Sequence, residues 1–418
     1  MSKILTQEHA QATTNHHNVS FPEIRTYSTR SLKDPTTQSL AKCLQKNHTT
    51  FSALRDPQLL FHNHMPHILG SAYYLGATPD KLEEICEAEG QSLRPVGTVP
   101  LREQLTEETW REHLGDKSYT VSFVKFFDDQ IDKNQGDWKQ VMQGYLYSSK
   151  TPLINGFCGG LGHPFIHLHY AYEFDSKEVA SEALSLGCTE YDFVHRYFDE
   201  PVPDTSTYKT KHLQEVLGKV RQDKRFDGRF ELPGFLNTFT LHEKCEDAIL
   251  EHWNGWLLDD YSQQFEEVFD FAVRVAVQTA SARVQYDFFL IHVLTVAHAL
   301  RVILPYAPEE HRNPILKQFA MWVVIVYCAQ LRRRIYAGSI DAVDLDGRDW
   351  QWVQEKALTS QWSLDSHYVK VVRALKFGAD LYGEKDGWYL KAAVKFVSEF
   401  NEWTGFGAGV EGMDGGLH

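Results

Sequence analysis

The sequence predicts an all-α protein, a large multi-helix single domain whose central helices are apolar and buried. Helical periodicity dominates the chain after residue 35, and alternating strand patterns are almost absent. Two apolar runs, 288–300 and 319–331, are shorter than the roughly 20 residues that span a bilayer. We therefore interpret both runs as helices that are buried on all sides.

The predicted elements begin after a polar N-terminal segment. Residues 1–35 are rich in Thr, Asn, Ser and His and are expected to be loosely ordered, whereas residues 36–418 are expected to form the helical domain. The stretch 78–90, TPDKLEEICEAEG, predicts a helix because Thr78 is a favourable N-cap and Pro79 suits the first helical position.

Amphipathic patterns predict further helices in the second half of the chain. These segments are 205–223, 242–278, 367–383 and 388–403. Loops rich in Gly or Pro are expected near 91–100, 150–164, 200–206 and 304–314. No fixed-period repeat and no long linker divides the sequence, so a single helical domain is the simplest interpretation.

Composition and charge exclude several classes of function. The 418 residues carry a formal net charge of −14, so no nucleic-acid partner is expected. The six cysteines lack CxxC spacing, and the N-terminus lacks the apolar core of a signal peptide. We therefore expect a cytoplasmic protein with no membrane partner. The 25 Phe, 19 Tyr and 10 Trp residues suit a pocket for a flat apolar ligand.

Histidines occur in four local groups, each within or beside an apolar segment. Two groups contain pairs of histidines spaced three or four residues apart, as one helical face requires. A third group lies on a nearly uncharged helix, and the fourth pairs a histidine with a lysine. The groups are His62, His64 and His67; His163, His167 and His169 with Glu173; His292 and His298; and His367 with Lys370.

These spacings allow two side chains of one helix to point at one ion, with other helices completing the ligand set. Four inward-facing groups on four separate segments favour a metal site, and shells composed mostly of nitrogen suit Fe, Cu, Ni or Zn. The simpler interpretation of an isolated histidine, such as His292 or His298, is a hydrogen-bonded core residue. His62 and His169 lie off the shared faces and are expected to be neighbours of the site.

Lys370 lies at the edge of the apolar face of its predicted helix. One interpretation is a lysine whose stem follows the core while its ammonium group reaches water. The other is a buried lysine whose lowered pKa leaves a reactive neutral amine. Such an amine can capture carbon dioxide and form a carbamate, which is an anionic oxygen ligand for a metal.

Other catalytic motifs are missing from the sequence. The glycine-rich stretch 156–164 has no predicted strand before it and does not form a dinucleotide fingerprint. A second glycine-rich stretch lies at 405–416, with no helix after it. No P-loop and no GxSxG is present, and the acidic pairs at 128–129 and 259–260 are interpreted as solvated faces.

Four motifs together resemble the questin oxidase family of fungal secondary metabolism, whose members oxidise or open polycyclic aromatic polyketides such as anthraquinones. The resemblance extends from about residue 50 to 410, in matching order and spacing. It departs from the family pattern at Ile68, where a second histidine is expected, and at His298, where a small residue is expected. The motifs are NHMPHILGSAYYLGATPDKLEEICE, GGLGHPFIHLHYAYEF, YDFFLIHVLTVAHAL and DSHYVKVVRALK.

The resemblance implies a non-haem iron-dependent oxygenase that uses O2 and a flat aromatic polyketide, with Fe(II) held by four imidazoles and a carboxylated Lys370. Glu173 is expected to orient His167. His64 and His367 are the expected catalytic residues, one of them as general base on a substrate phenol. The expected metal ligands are His67, His163, His167, His292 and Lys370, although the choice of four histidines among six candidates, which also include His64 and His367, stays open.

Three alternatives remain open at this point. The first is a metal-independent, NADPH-linked Baeyer–Villiger oxidase, which the missing dinucleotide fingerprint disfavours. The second is a hydrolase with a carboxylated lysine between two metals, a chemistry usually found on a β/α barrel. The third is a non-catalytic helical scaffold whose histidines are core residues. The sequence does not determine the oligomeric state or distinguish iron from manganese or zinc.

Overall fold

A computed structural model of the chain describes residues 21, 24–29, 33–281 and 283–407. Most of the predicted polar segment 1–35 and most of the C-terminal glycine-rich stretch therefore lie outside the described residues. The first helix begins at Pro35, beside the predicted start of the helical domain. Asp34 caps this helix, because its carboxylate accepts a hydrogen bond from the backbone N–H of Thr37 at 2.9 Å.

The described residues form seventeen α-helices, labelled α1 to α17, and one antiparallel ladder of two short strands, β1 (Leu54–Arg55) and β2 (Phe61–His62). The prediction of an all-α fold is confirmed, and a β/α barrel is excluded for the described part of the chain. The helices are Pro35–Thr50, Met65–Tyr74, Pro79–Gly90, Thr120–Lys133, Trp138–Tyr147, Gly159–Phe174, Lys177–Thr189, Arg196–Asp199, Leu213–Gln222, Asn237–Lys244, Glu246–Gly255, Tyr261–Val277, Ile291–Ile303, Glu309–Ala329, Trp350–Thr359, Ser366–Tyr382 and Trp388–Glu399.

The predicted helix 205–223 is too long, because only α9 (Leu213–Gln222) forms. Residues before α9 are extended, since the N–H of Thr210 donates to the carbonyl of Gly255 and the N–H of Leu257 donates back to Thr210. This pairing with the end of another helix satisfies the backbone without a helix.

The predicted helix 242–278 is divided into three helices. The first break is at Cys245, between α10 and α11, and the second spans residues 256–260, between α11 and α12. Asp260 starts α12 as an N-cap, with its carboxylate 2.7 Å from the N–H of Ser262. The predicted loop 304–314 also ends early, because α14 begins at Glu309.

The helices that surround the candidate site are α2, α6, α13 and α16. Every residue of α13 is buried, and this helix packs against α6, α12 and α16, while α2 packs against α6 and α16. The apolar run 319–331 is also helical and buried over most of its length, within α14. Among the described helices, none has the length and apolar character required to cross a membrane.

A left-handed turn precedes the regular part of α6. Gly160, Leu161 and Gly162 have φ angles of 53°, 59° and 74°. A Cβ atom on Gly162 would lie 2.5 Å from Val296 of α13, so glycine is required both by the backbone angle and by the close packing. The glycine-rich stretch is therefore a turn, as predicted, and it sets the direction from which His163 enters the core.

Candidate metal centre

Four histidines from four different segments meet in the interior. We call His64, His163, His292 and His367 the imidazole cluster. His64 directly precedes α2, and the other three lie on α6, α13 and α16. Each histidine is at most 5% exposed. Ring centroids are 5.0 Å apart for His64 and His163, 5.1 Å for His163 and His292, and 5.2 Å for His292 and His367.

The ring nitrogens of the imidazole cluster face one another. The Nε2 atoms of His64 and His163 are 2.8 Å apart. One ring nitrogen from each of His163, His292 and His367 lies within 4.8 Å of the other two. The Nε2 atoms of His292 and His367 are buried without a hydrogen-bond partner. Unpaired buried nitrogens are costly, so this convergence suits a bound cation.

Backbone carbonyls orient two rings of the imidazole cluster. His163 Nδ1 lies 2.5 Å from the carbonyl oxygen of Gly160, and His292 Nδ1 lies 2.7 Å from that of Phe288. A carbonyl can only accept a hydrogen bond, so each Nδ1 carries the proton and each Nε2 presents a lone pair. This is the arrangement by which metal-binding histidines are held in one tautomer.

Burial keeps the imidazole cluster neutral. It lowers the pKa of each of its four histidines well below the ordinary value. A positive charge on Lys370 would lower the pKa of His64, His292 and His367 further. Neutral imidazoles are the form that binds metals.

Lys370 is buried beside the imidazole cluster and does not reach solvent. It is 2% exposed, and its Nζ atom has no hydrogen-bond partner. Burial lowers the pKa of Lys370 to about 7, although the carboxylates of Asp365 and Glu89 act in the opposite direction. The interpretation of a lysine that reaches water is therefore wrong, and a substantial fraction of the amine is neutral near pH 7.

His67 and His167 form a separate pair beside the imidazole cluster. His67 Nε2 is 3.0 Å from His167 Nδ1, and His167 Nε2 is 2.8 Å from the carboxylate of Glu182. Both ring nitrogens of His167 are thus engaged. The Nδ1 atom of His67 is buried without a partner. Among the described residues, neither histidine belongs to a trio of possible ligand atoms within 4.8 Å.

The partner of His167 is Glu182, so the prediction that Glu173 orients His167 is wrong. Glu173 instead accepts a hydrogen bond of 2.5 Å from Arg373. Glu173 is six residues after His167 on the same helix, so the two side chains point in directions about 120° apart. The sequence carried a signal for Glu182, because it is an acidic residue on the otherwise uncharged buried face of α7.

A second buried group lies around Arg373. His169, Glu173 and His298 place possible ligand atoms within 4.8 Å of one another. However, the guanidinium group of Arg373 contacts both Glu173 and His298, the latter at 3.0 Å. We interpret this group as a buried ion pair, because a cation already occupies the polar space.

His62 lies beside the imidazole cluster, and one of its ring nitrogens is within 4.8 Å of ring nitrogens of His64 and His163. Its ring stacks on that of His163, with centroids 3.9 Å apart, and its Nε2 lies 3.0 Å from the carboxylate of Glu190. Lys117 also pairs with this carboxylate. Burial lowers the pKa of His62, while Glu190 acts in the opposite direction.

Aromatic side chains cover one side of the imidazole cluster. The ring of Phe288 lies 4.5 Å from that of His367, and the ring of Trp403 lies 6.3 Å from it. Phe406 packs on Phe288 at 5.0 Å. This apolar wall adjoins the unpaired nitrogens, as a flat aromatic ligand would require.

Fold and site together define an all-helical protein with a buried, histidine-lined centre. The chain matches the family described as Questin oxidase-like over residues 61–375. The chain therefore belongs to the questin oxidase-like family. The resemblance inferred from the four motifs is confirmed, and the match includes the imidazole cluster and Lys370.

Named relatives align with most of the chain. It is 26% identical over 366 residues to Baeyer-Villiger oxidase ptaJ of Pestalotiopsis fici, covering 82% of this chain and 81% of the relative. It is 22% identical over 374 residues to Baeyer-Villiger oxidase mdpL of Emericella nidulans, covering 82% of each. It is 24% identical over 379 residues to Questin oxidase of Aspergillus fumigatus, covering 83% of this chain and 82% of the relative. Names of oxidases throughout this set support an oxidoreductase.

Proposed function

We propose that this protein is a non-haem iron-dependent oxygenase that inserts oxygen into, or oxidatively cleaves, a ring of a polycyclic aromatic polyketide such as an anthraquinone. The names of the relatives, Questin oxidase and Baeyer-Villiger oxidase, support the reaction class. The observation that carries the proposal is the packing of four neutral imidazole rings beside an unpaired, buried lysine amine, with ring nitrogens of three of them within 4.8 Å of one another.

The proposed ligands are the four histidines of the imidazole cluster together with Lys370 as its carbamate. A protonated ammonium group beside the imidazole cluster would repel a dication, whereas the neutral amine can bond to the carbon of carbon dioxide and release one proton. The carbamate then supplies the negative charge that four neutral imidazoles lack. Ferrous iron bound there would supply the one-electron chemistry that dioxygen needs to react with a closed-shell substrate.

The geometry favours a different division of roles from the one that the sequence suggested. His64 and His367, expected as catalytic residues, face the other cluster nitrogens and are better placed as ligands. His167, expected as a ligand, has both nitrogens occupied. His67 keeps one free nitrogen, Nδ1, so we propose it as the general base for a substrate phenol.

The aromatic wall of Phe288, Trp403 and Phe406 is the proposed binding surface for the flat substrate. Phe288 is 7% exposed, whereas Trp403 and Phe406 are partly exposed, so the wall extends from the interior toward the surface. Stacking against aromatic rings would hold a planar polyketide beside the unpaired nitrogens. We retain the cytosol as the proposed compartment, because the six cysteines are free and buried.

Metal analysis of the untagged protein tests this proposal. We expect about one iron per chain in the wild type, and loss of that iron in His292→Ala and Lys370→Met, because each removes a ligand. His169→Gln is the matched control, since His169 is a buried histidine of α6 outside the imidazole cluster, and it should retain iron. Absence of stoichiometric metal after anaerobic loading with ferrous iron would overturn the proposal.

Isotope labelling separates the proposal from the NADPH-linked alternative. With an anthraquinone substrate, ring cleavage should place both atoms of labelled O2 in the product without NADPH, and a chelator should abolish this activity. Activity that survives chelation and requires NADPH would favour the alternative. A scaffold without catalysis predicts that His163→Ala lowers stability while no metal is lost.

A further inference from the structure

A continuous chain of hydrogen bonds leads away from the imidazole cluster. His67 Nε2 is 3.0 Å from His167 Nδ1, and His167 Nε2 is 2.8 Å from Glu182 Oε2. The second oxygen of the same carboxylate, Oε1, is 2.9 Å from His48 Nδ1, and His48 Nε2 is 3.0 Å from Asp128 Oδ2. Four hydrogen bonds thus connect five side chains, and every one of these side chains can take up and release a proton.

The outer end of this chain reaches solvent. Asp128, His48 and Glu182 line an open cavity of about 770 Å³, whose other walls are mostly apolar. The side chain of Asp128 is 38% exposed, whereas that of Glu182 is 4% exposed and that of His167 is fully buried. The chain therefore runs from a surface cavity to the unpaired Nδ1 atom of His67 without a gap.

Opposite charges alternate along the outer part of the chain. Burial alone would lower the pKa of His48, but hydrogen bonds to Asp128 and Glu182 outweigh burial and raise the pKa to about 10. Burial alone would raise the pKa of Glu182, but His167 and His48 together lower it. At pH 7, His48 is thus a cation between two carboxylates.

The tautomers follow from this arrangement. The ionised Glu182 can only accept, so His167 Nε2 donates to it and His167 Nδ1 accepts from His67 Nε2. The remaining nitrogen of His67, Nδ1, then carries a lone pair. Each of the four hydrogen bonds contains one proton. Three of these protons are donated toward the cavity, and the fourth, on His48 Nδ1, is donated inward to Glu182 and stays in place during a transfer.

We propose that the chain His67–His167–Glu182–His48–Asp128 carries a proton between the buried centre and the cavity. This inference deepens the proposed function and rests on it. A proton taken from a substrate phenol would bond to His67 Nδ1. The Nε2 proton of His67 would then pass to His167 Nδ1, and the Nε2 proton of His167 would pass to Glu182. At the outer end, the Nε2 proton of His48 would pass to Asp128.

The transfer balances in charge. Before it, Glu182 and Asp128 are negative and His48 is positive, a total of −1. After it, all five side chains are neutral, which accounts for the one proton gained, and Asp128 then releases that proton to cavity water. Transfer in the opposite direction returns a proton to the product and restores the first state.

A purely structural network would explain less. The Nδ1 atom of His67 is buried without a hydrogen-bond partner, and its Nε2 atom already contacts His167. A proton received at Nδ1 can therefore leave only through the hydrogen bond to His167, and Glu182 and His48 provide the next sites. An ion pair that served only to orient His167 would not need an exposed end at Asp128.

Chemical rescue tests the route. In His48→Ala, the inner part of the chain stays in place, and we expect iron content and KM to be unchanged while kcat falls by about 10- to 100-fold. Imidazole or a methylimidazole, which can enter the cavity, should restore kcat in proportion to its concentration. His252→Ala is the control, because it removes a buried histidine of α11 that takes part in none of these four hydrogen bonds. Added imidazole should not raise the kcat of this variant.

Glu182→Gln tests whether proton transfer is interrupted at the middle of the hydrogen-bonded chain. Its amide oxygen can still accept from His167 Nε2, so the geometry and the iron content should persist, but the amide cannot take up the proton. We expect the same loss of kcat as in His48→Ala, with no rescue by imidazole, because the interruption lies inside the cavity end. Unchanged kcat in both variants, or equal rescue of both, would overturn the route.

A measurement that does not depend on turnover tests the hydrogen-bonded chain even if the proposed function is wrong. If the wild type binds no iron or shows no turnover, nitrogen NMR of the labelled imidazoles decides the matter for the chain alone. We expect His48 to be doubly protonated at pH 8, and His167 to carry its proton on Nε2. A neutral His48 at pH 8, or a proton on His167 Nδ1, would overturn the proposed chain.

Discussion

At the scale of single residues, Lys370 illustrates how environment decides chemistry. Its sequence position on the edge of an apolar helix face allowed either a solvated ammonium group or a buried amine. The structure buries it beside four imidazoles and lowers its pKa to about 7. Because no partner compensates the buried amine, Lys370 costs stability in the unliganded protein, as functional residues often do.

We expect Lys370→Met to be more stable than the wild type in metal-free, carbon dioxide-free buffer. Between pH 7 and pH 10 the unfolded lysine still holds a proton while the folded one has released it, so wild-type stability rises with pH relative to the variant. The advantage of the variant should shrink by about 3–5 kcal/mol across this range, as measured by urea unfolding. A difference that does not change with pH would show that Lys370 is not buried as an amine.

The partner of His167 is a second example at this scale, because Glu182 takes the place that the sequence had assigned to Glu173. Both acids are buried and both face histidines, but one pairs with Arg373 and the other with His167. Spacing along a helix identifies which residues share a face of that helix. It cannot identify which neighbouring helix supplies the partner, and α7 brings Glu182 to His167 from a different element.

At the scale of elements, the left-handed turn at the start of α6 determines where His163 enters the imidazole cluster. Three consecutive residues with positive φ lead into His163, and the carbonyl of Gly160 then holds His163 Nδ1 at 2.5 Å. The same turn lies against Val296 of α13, the helix that carries His292. One short segment therefore orients one ligand and determines its distance from the next.

Gly162→Ala should disrupt this turn. Its φ of +74° disfavours alanine, and the new Cβ would lie 2.5 Å from Val296, so we expect a loss of about 1–3 kcal/mol in unfolding free energy. Iron binding should weaken as well, because His163 would move. Thermal unfolding and metal analysis measure the two effects.

Gly144→Ala is the matched control for that prediction. Gly144 is an exposed residue inside α5, and a Cβ there meets nothing within 4 Å. Alanine should therefore increase stability by about 0.5–1 kcal/mol through its higher helix propensity, with iron binding unchanged. A stabilised Gly162→Ala, or equal effects at both positions, would contradict the proposed role of the turn.

Helix boundaries show the same dependence on neighbours. The segment 205–223 has an amphipathic pattern, yet residues before Leu213 pair with the chain at 255–257. The segment 242–278 has continuous periodicity, yet it breaks where Asp260 starts a new helix. Periodicity identifies the buried face correctly in each case, but backbone pairing and capping decide the length.

At the scale of the whole molecule, many neutral histidines are buried together. Burial holds the pKa of seven histidines well below the ordinary value. Each of them takes up a proton on unfolding at mildly acidic pH, because the unfolded imidazole has a pKa near 6.5. The seven are His64, His67, His163, His169, His292, His298 and His367.

We expect the metal-free protein to lose stability steeply as the pH falls below about 6.5, since each such histidine contributes up to roughly 1.4 kcal/mol per pH unit. Burial raises the pKa of Asp192 and Asp287 to about 6, so proton uptake by the folded state offsets part of the loss. Urea midpoints between pH 8 and pH 5 measure the slope. His169→Phe should lower it by the share of one histidine, and a flat profile would contradict neutral burial.

The sequence by itself determined the helical class, the family, and the histidine groups that contribute to the centre. The helical period of 3.6 residues and the spacing of neighbouring residues can be read from the sequence. His163 with His167, and His367 with Lys370, could therefore be assigned to their helices in advance. Capping residues such as Thr78 likewise acted as predicted, with its hydroxyl accepting from the N–H of Lys81.

Only the tertiary structure decided which nitrogens converge, which histidine lost both of its nitrogens to partners, and which acid completes the chain to the surface. His167 and Glu182 lie on adjacent helices, and His48 and Asp128 come from α1 and α4. Contacts between elements distant in sequence depend on how helices pack and on where each loop turns. The directional chemistry of an imidazole is therefore decided by packing, which local sequence patterns do not encode.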